Sequence, residues 1–231
     1  MESTHPGVKA LRPDNKQVTL HDGTMVTVPV FDARAMIIDI LTNPELMMKE
    51  NIAEGYDIFT GDVDEDHESN QKYGEIHTGD EWIPARDHYC KSDHDLPNGM
   101  PVALVIFGDK SHTDLHGALA LTPIIFTLSF FNQKCRNNQK FWRVLGYVPN
   151  LGYGKNKSNK TPTIKKLQDE HDCLSCVFQF YMKRYGSAIN FYGGTGESAH
   201  KHFVKAPGQK TQRRVSEFAS QDANQYYNML L

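Results

Sequence analysis

The chain has 231 residues, of which 39% are apolar, and its mean hydropathy is −0.54. That length and composition suffice for one sizeable hydrophobic core or two small ones. No apolar run approaches the ~20 residues that span a bilayer, and residues 1–10 lack the basic-then-apolar pattern of a secretion signal. We therefore expect no membrane insertion and no secretion, and a nuclear or cytoplasmic location.

The charge is strongly divided along the chain. Residues 1–133 hold 9 basic and 22 acidic side chains, a formal charge of −13, whereas residues 134–231 hold 16 basic and 6 acidic ones, a charge of +10. Such asymmetry fits a back half that binds a polyanion. It fits equally well two halves that attract each other.

The cysteines are Cys90, Cys135, Cys173 and Cys176, without the spacing of a disulfide framework. A reducing compartment is therefore expected. Cys173 and Cys176 have the spacing of half a zinc site, but four-coordinate zinc cannot close on a single pair. Packing as small hydrophobes within an amphipathic helix is the favoured interpretation.

The front of the chain predicts a hairpin followed by short helices. Apolar residues flank the turn His21-Asp22-Gly23, where glycine suits a positive φ. Asp32 is placed to cap one helix, and Asn43 before a proline predicts the start of another. The acidic, aromatic stretch 54–98 has no steady period, which indicates a long ordered loop or an adaptor. Residues 1–99 are thus predicted to form one acidic region.

Three apolar runs then predict three consecutive strands: Pro101–Phe107, Leu119–Phe131 and Phe141–Pro149. A helix is predicted from Thr163 to Tyr185. Its apolar face is expected to hold Ile164, Leu167, Cys173 or Leu174, Val177, Phe178 and Tyr181.

The tail predicts an extended segment over Ala188–Tyr192, a glycine-rich loop, the basic stretch Lys201–Arg214 and a last helix. That helix has an apolar stripe at helical spacing, which is typical of a core contact. Its members are Val215, Phe218, Ala219, Ala223, Tyr226, Tyr227 and Leu230.

Two motif matches fail on their spacing. The acidic run from Asp62 starts like a calcium loop, but the sixth and twelfth positions are His67 and Tyr73 instead of Gly and Glu. Gly194–Ala199 fits the dinucleotide fingerprint, but the second parallel strand that this fingerprint needs has no room after it. We reject both sites.

The segment Asp109–His116 is a candidate metal site. An acid at the end of a buried strand is costly to desolvate unless it binds a cation or hydrogen-bond donors, and carboxylates suit magnesium or manganese. His112, Asp114 and His116 could add ligands for a softer metal. The alternative makes Asp109 a turn residue and the histidines part of the loop surface.

Several of these residues resemble the Plavaka-type transposases, which belong to a superfamily of eukaryotic cut-and-paste DNA transposons. The family pattern P-x-x-L…D-K-T…G…P…L-G-Y-L-P is matched by Pro101, Leu104, Asp109-Lys110, Gly117, Pro123 and Leu145–Pro149. The likeness is strong from about Glu75 to Phe178. The tail, Asn190–Gly194, Glu197–Lys201 and Lys205–Arg214, is similar to a stretch near the end of the transposase core. The junction near Phe178–Met182 resembles neither part.

The resemblance implies an α/β (α+β) fold with a partial RNase H-like core. It would consist of an initial three-stranded antiparallel meander plus helices within residues 100–182, followed by a basic tail with a terminal helix over 183–231. The family uses magnesium or manganese on three acids. By resemblance Asp109 matches the first, as catalytic residue and metal ligand, and Glu197 is a candidate for the third. We find no second acid, because the core is internally deleted relative to the family pattern.

Three functions follow as hypotheses. The first is a transposase-derived chain without catalysis that binds DNA non-specifically through its basic tail. The DNA-binding residues would be Lys201, Lys205, Lys210, Arg213 and Arg214. The second is a domesticated module that binds protein partners through its acidic front half. The third is a small metal-dependent enzyme that uses the Asp109–His116 cluster.

Overall fold

The computed structural model describes residues 11–53, 82, 84, 102–112, 120–151, 163–185 and 217–230. They divide into two compact units. Unit 1 is drawn from residues 1–39, 106–126 and 143–231, and unit 2 from residues 40–105 and 127–142. Both units are discontinuous along the chain.

The predicted hairpin and first helix are confirmed. Strands β1 (Asp14–Thr19) and β2 (Met25–Val30) pair antiparallel, and Gly23 takes the positive φ of 84° in the turn between them. Helix α1 (Ala33–Thr42) follows. Asp32 Oδ1 accepts the backbone N–H groups of the helix start at 2.8 and 3.2 Å, as an N-cap should.

The helix expected after Asn43 does not form. Asn43 Oδ1 accepts the N–H groups of Glu45 and Leu46 at 3.0 and 3.4 Å, but the chain makes only a turn there. A short 3-10 helix, Lys49–Asn51, comes next. Asn side chains stabilise turns by the same hydrogen bonds that cap helices, so the residue alone could not separate the two outcomes.

The described strands form one sheet. Besides the hairpin it contains β3 (Leu104–Gly108), the two-residue β4 (Ser111–His112), β5 (Ala120–Leu128) and β6 (Arg143–Pro149). Its order is β1-β2-β6-β5-β3, with β4 pairing with β5 off this path. The fold is therefore mixed α+β, with an antiparallel sheet in which β3, β5 and β6 are successive neighbours.

Strand β6 lies inside the sheet and is buried on both faces. It pairs antiparallel with β5 along its length and with β2 at Gly146. Six of its seven residues are buried, which explains its continuous apolar run. Successive residues of a strand point to opposite faces, so β6 offers one face at Gly146 and the other at Tyr147.

Helix α3 (Thr163–Tyr185) packs on β6, β2 and β1 of unit 1. The helix is as predicted, but its expected apolar face is wrong in part. Ile164 and Leu167 are 80% and 59% exposed. The predicted members Cys173, Val177 and Phe178 are buried, and the acid Asp169, which was not predicted, is buried with them. Asp169 can lie on the core side because it accepts a hydrogen bond from the backbone N–H of His21.

Two further helices complete the described part of the chain. Helix α2 (Gln133–Arg136) is a single turn in unit 2, and α4 (Phe218–Met229) packs on β2 and β6 of unit 1. The stripe predicted for the last helix is buried at Phe218, Ala219, Ala223 and Tyr226. Phe31 and Tyr226 meet edge to face, with ring centroids 5.4 Å apart.

Unit 2 is organised by aromatic rings and amide side chains. Phe131 packs against Phe130 and Phe141, with centroids 4.8 Å apart in each pair. Asn132 caps α2 through Cys135 N–H at 2.9 Å and donates to the backbone of Glu50 at 2.8 Å. One amide therefore ties α2 to the 3-10 helix that lies far from it in sequence.

Apart from residues 82 and 84, the stretch 54–98 lies outside the described residues, and so does the predicted extended segment Ala188–Tyr192. The segment between β4 and β5 and the whole basic stretch lie outside them too. The three consecutive regions predicted from the sequence, 1–99, 100–182 and 183–231, remain a prediction.

Gly146→Ala is expected to destabilise the protein by about 2 kcal/mol, because an added methyl forces strain into a packed site. A Cβ at this position would lie 2.8 Å from Pro29 O and 3.0 Å from Val177 Cγ2. Urea unfolding monitored by circular dichroism measures the loss. An unchanged or increased free energy of unfolding would contradict the close approach of these three elements.

Gly23 provides the control, since a Cβ there meets nothing within 4 Å but φ is +84°. Gly23→Ala should cost about 1–2 kcal/mol through the backbone alone. Gly23→Asn should cost less, because asparagine tolerates positive φ. At position 146 the order of the two substitutions is reversed. Gly146→Asn should destabilise the protein more than Gly146→Ala, because asparagine is larger than alanine and the site is packed.

Candidate functional site

Asp109, the predicted catalytic acid, lies directly after β3 on the protein surface. Its side chain is exposed, and its Oδ1 accepts the backbone N–H of Lys110 at 2.8 Å. The predicted apolar strand is buried only at Ile106 and Phe107, and it is followed by a carboxylate that is exposed to solvent. A carboxylate in this position is free of the desolvation cost that would otherwise require a bound cation.

Lys110 connects Asp109 to the end of β6. The Lys110 ammonium donates to Asn150 Oδ1 at 3.0 Å, across a separation of 40 residues. The β3–β4 turn and the residue after β6 thus meet at one edge of the sheet in unit 1. We call this set, Asp109, Lys110 and Asn150, the edge site.

The edge site can bind an anion or a cation only weakly by itself. One carboxylate offers two oxygens, whereas magnesium requires near-octahedral coordination by six ligands. Next to the carboxylate, Lys110 offers a positive charge of the kind that contacts phosphate oxygens in protein–DNA complexes. Within the described ranges no group of three or more His, Cys, Asp or Glu side chains is arranged to hold a metal.

The other predicted site residues are not brought together in the part of the chain that the structure describes. Asp114, His116 and Glu197 lie outside it, and the side chain of His112 does too. The same holds for the predicted DNA-binding residues, which are Lys201, Lys205, Lys210, Arg213 and Arg214. Their roles remain predictions.

A part-buried hydrogen bond between a histidine and a carboxylate joins the β1–β2 turn to α3. Asp169, 1% exposed, accepts the backbone N–H of His21 at 2.8 Å, and His21 Nδ1 lies 2.5 Å from its Oδ2. An N–H on this ring nitrogen donates to the carboxylate. His21 is therefore the hydrogen-bond partner that allows an acid to be buried on the inner face of α3. The contact also fixes the hairpin turn against the helix.

An ion pair lies near Tyr226 of α4. Arg143 Nε donates to Asp39 Oδ2 at 2.7 Å, with the arginine almost fully buried. Near it are two buried phenols. Burial raises the pKa of Tyr226 to about 12 and, together with the nearby Asp222 carboxyl, raises the pKa of Tyr147 well above its ordinary value.

Asp222 itself is the most unusual group in the described part of unit 1. Its side chain is 0% exposed, and neither carboxyl oxygen has a hydrogen-bond partner among the described residues. Burial raises its pKa from 3.8 to about 8, because desolvation disfavours the charged form. The carboxyl is therefore mostly protonated at neutral pH.

The cysteine pair packs as hydrophobic side chains pack. Cys173 is buried in α3, and burial raises its pKa to about 12; burial also raises the pKa of Cys176. Metal binding and nucleophilic chemistry both need the thiolate. This environment opposes thiolate formation and favours the packing interpretation made from the sequence.

The sequence did not reveal the His21–Asp169 hydrogen bonds, the Arg143–Asp39 ion pair or the buried acid Asp222. His21 and Asp169 are 148 residues apart, and no local pattern connects them. Asp222 did leave a signal. It lies four residues from both Phe218 and Tyr226, so helical spacing alone places it on the buried stripe.

No family model, curated protein or solved structure matches this chain. Among the described helices, none has the length and apolar character needed to cross a membrane. Any functional assignment therefore depends on the sequence, the fold and the edge site.

Asp169→Ala should lower the free energy of unfolding by about 3 kcal/mol, because it leaves the His21 backbone N–H without its buried acceptor. His21→Ala should cost less, about 1–2 kcal/mol, because Asp169 still accepts that N–H. Urea unfolding of both variants measures the difference.

Asp172→Ala is the matched control on the same helix. Asp172 is half-exposed and accepts from Gln168 at its surface, so its removal should change the unfolding free energy by at most about 0.5 kcal/mol. If Asp169→Ala proves no more harmful than this control, the proposed anchoring of the turn is wrong.

Proposed function

We propose that this chain derives from a Plavaka-type cut-and-paste transposase, and that it binds DNA non-specifically without cleaving it. The observation on which the proposal depends is that β3, β5 and β6 are neighbours in the sheet, with α3 following them along the chain and Asp109 directly after β3. Three adjacent antiparallel strands followed by a helix are how an RNase H-like core begins, and its first catalytic acid lies at the end of the first strand.

The edge site supports this origin. In unit 1 the first-strand acid, the following lysine and the asparagine after the third strand converge, with Lys110 Nζ 3.0 Å from Asn150 Oδ1. The resemblance rests on the sequence blocks around these same residues, Gly108–Lys110 and Leu145–Pro149. Two sequence blocks that are distant along the chain thus meet in space at the expected acid.

The course of α3 supports the loss of cleavage. The helix runs unbroken from Thr163 to Tyr185, through the junction Phe178–Met182 at which the family likeness changes from early to late. Only residues 186–189 then separate it from the later family segment at Asn190. Two strands and a second acid cannot fit into four residues, since a strand alone takes about five.

DNA binding is assigned to the basic stretch Lys201–Arg214. Its lysines and arginines would neutralise phosphates and release counterions, which gives affinity without sequence preference. The stretch carries five lysine and arginine side chains and no acidic one within fourteen residues. The proposed role is therefore backbone binding and not base recognition.

The purified protein should not nick supercoiled plasmid DNA in the presence of Mg²⁺ or Mn²⁺. With one of three metal-binding carboxylates missing, neither ion of a two-metal site is held in place. Conversion of supercoiled to open-circular plasmid on an agarose gel measures the activity. Metal-dependent nicking that Asp109→Ala abolishes would contradict the proposal.

The protein should bind short duplex DNA at low salt, with an affinity that falls steeply as salt rises. Replacing Lys201, Lys205, Lys210, Arg213 and Arg214 by alanine should make the plot of log affinity against log salt concentration less steep by about 4.5, at ~0.9 for each phosphate that is no longer neutralised. Fluorescence anisotropy with duplexes of two unrelated sequences measures both slope and specificity.

The matched control removes five basic residues from exposed sites elsewhere: Arg12, Arg34, Lys49, Lys134 and Lys165. This variant has the same net charge as the first, so a general loss of attraction would weaken both equally. The proposal fails if the control loses as much of the salt slope as the tail variant. It also fails if the unmodified protein shows no affinity at low salt.

A further inference from the structure

Helix α4 is docked on the sheet through a surface that contains a buried carboxyl group without a hydrogen-bond partner among the described residues. Its apolar members Phe218, Ala223 and Tyr226 are almost completely buried, as a stable docking surface requires. Asp222 lies among them at 0% exposure, with neither oxygen hydrogen-bonded. The docking surface therefore combines favourable apolar burial with one group that opposes it.

Within the described elements, the surroundings of Asp222 offer no compensating charge. Strand β2 contributes no titratable side chain at all. Strand β6 contributes Tyr147, a buried phenol, and Arg143, whose guanidinium is engaged by Asp39 of α1 at 2.7 Å. Helix α4 itself adds Tyr226. An ionised Asp222 would thus lie in an apolar site without a partner, which is strongly unfavourable.

We propose that α4 is a proton-dependent latch, docked on β2 and β6 while the Asp222 carboxyl is neutral and released from the sheet when it ionises. The elements beneath it keep their own support. Strand β6 is paired on both sides by β2 and β5, and α3 is tied to the hairpin by Asp169. Release of α4 therefore opens one face of the sheet without unfolding the rest of unit 1.

The sign and size of the effect follow from proton linkage. Docked Asp222 has a pKa of about 8, against 3.8 for the exposed group. The docked state therefore holds a proton that the released state loses, and raising the pH favours release. The equilibrium constant for release should rise close to ten-fold for each pH unit between about pH 5 and pH 7.5, and level off above about pH 8.

Hydrogen exchange of the full chain, read by mass spectrometry from pH 5 to pH 9 and corrected for intrinsic exchange rates, tests the latch. Peptides from α4 should lose protection by close to ten-fold per pH unit up to about pH 8. Peptides from β6 and from residues 163–177 of α3 should keep theirs. Flat protection in α4 would overturn the proposal, and so would a parallel loss in all elements.

Three variants separate the carboxyl from other causes. Asp222→Asn and Asp222→Leu have no ionisable group at this site, so α4 should show no pH slope in either; the leucine variant remains informative if a buried amide prevents folding. Asn224→Asp places a carboxyl on the exposed side of the same helix and should retain the original slope. A slope that persists in the folded Asp222 variants would show that another group is responsible.

Discussion

The burial of β6 on both faces is the constraint on which the rest of unit 1 depends. At Gly146 the strand comes so close to Pro29 and Val177 that a Cβ would lie 2.8 Å from a backbone oxygen. One residue later Tyr147 points to the opposite face, where Phe31 packs against it, with ring centroids 6.4 Å apart. A strand that is apolar on both sides and paired on both edges has no route to solvent. It therefore forms the common support of α3, α4 and the edge site.

The buried polar groups around this strand are of two kinds, those with a hydrogen-bond partner and one without a partner among the described residues. Asp169 and Arg143 are satisfied by specific partners at hydrogen-bond distance, and removing one partner of such a pair leaves an uncompensated buried group. Asp222 has no such partner among the described residues and remains buried as a neutral acid. The first arrangement fixes α3 and α1 in place. The second makes the docking of α4 depend on protonation of Asp222. The same sheet therefore carries two fixed helices, α1 and α3, and one helix, α4, that can be released.

Much of this architecture could be predicted from local pattern. Three apolar runs became β3, β5 and β6, and Asp32 and Gly23 act in the cap and the turn as their chemistry requires. The sequence predictions that were wrong concern residues whose burial depends on a partner far away in the sequence. Ile164 and Leu167 look like core residues in a helical projection, yet Asp169 takes the inner face because His21, 148 residues away, satisfies it. In the candidate site, the position of Asp109 after an apolar strand was predictable from the sequence, whereas the hydrogen bond between Lys110 and Asn150 was not.

The functional proposal depends on the same strand, because β6 brings Asn150 to Lys110, the residue that follows Asp109. The strand also supports the helix that runs through the sequence junction. Native-state hydrogen exchange of individual β6 amides by NMR, over a series of low urea concentrations, tests this central role most directly. We expect Val144 and Tyr147 to exchange only through global unfolding, with opening free energies that equal the equilibrium value for the protein. Opening of these amides at a lower free energy, together with those of the β1 edge strand, would contradict the account.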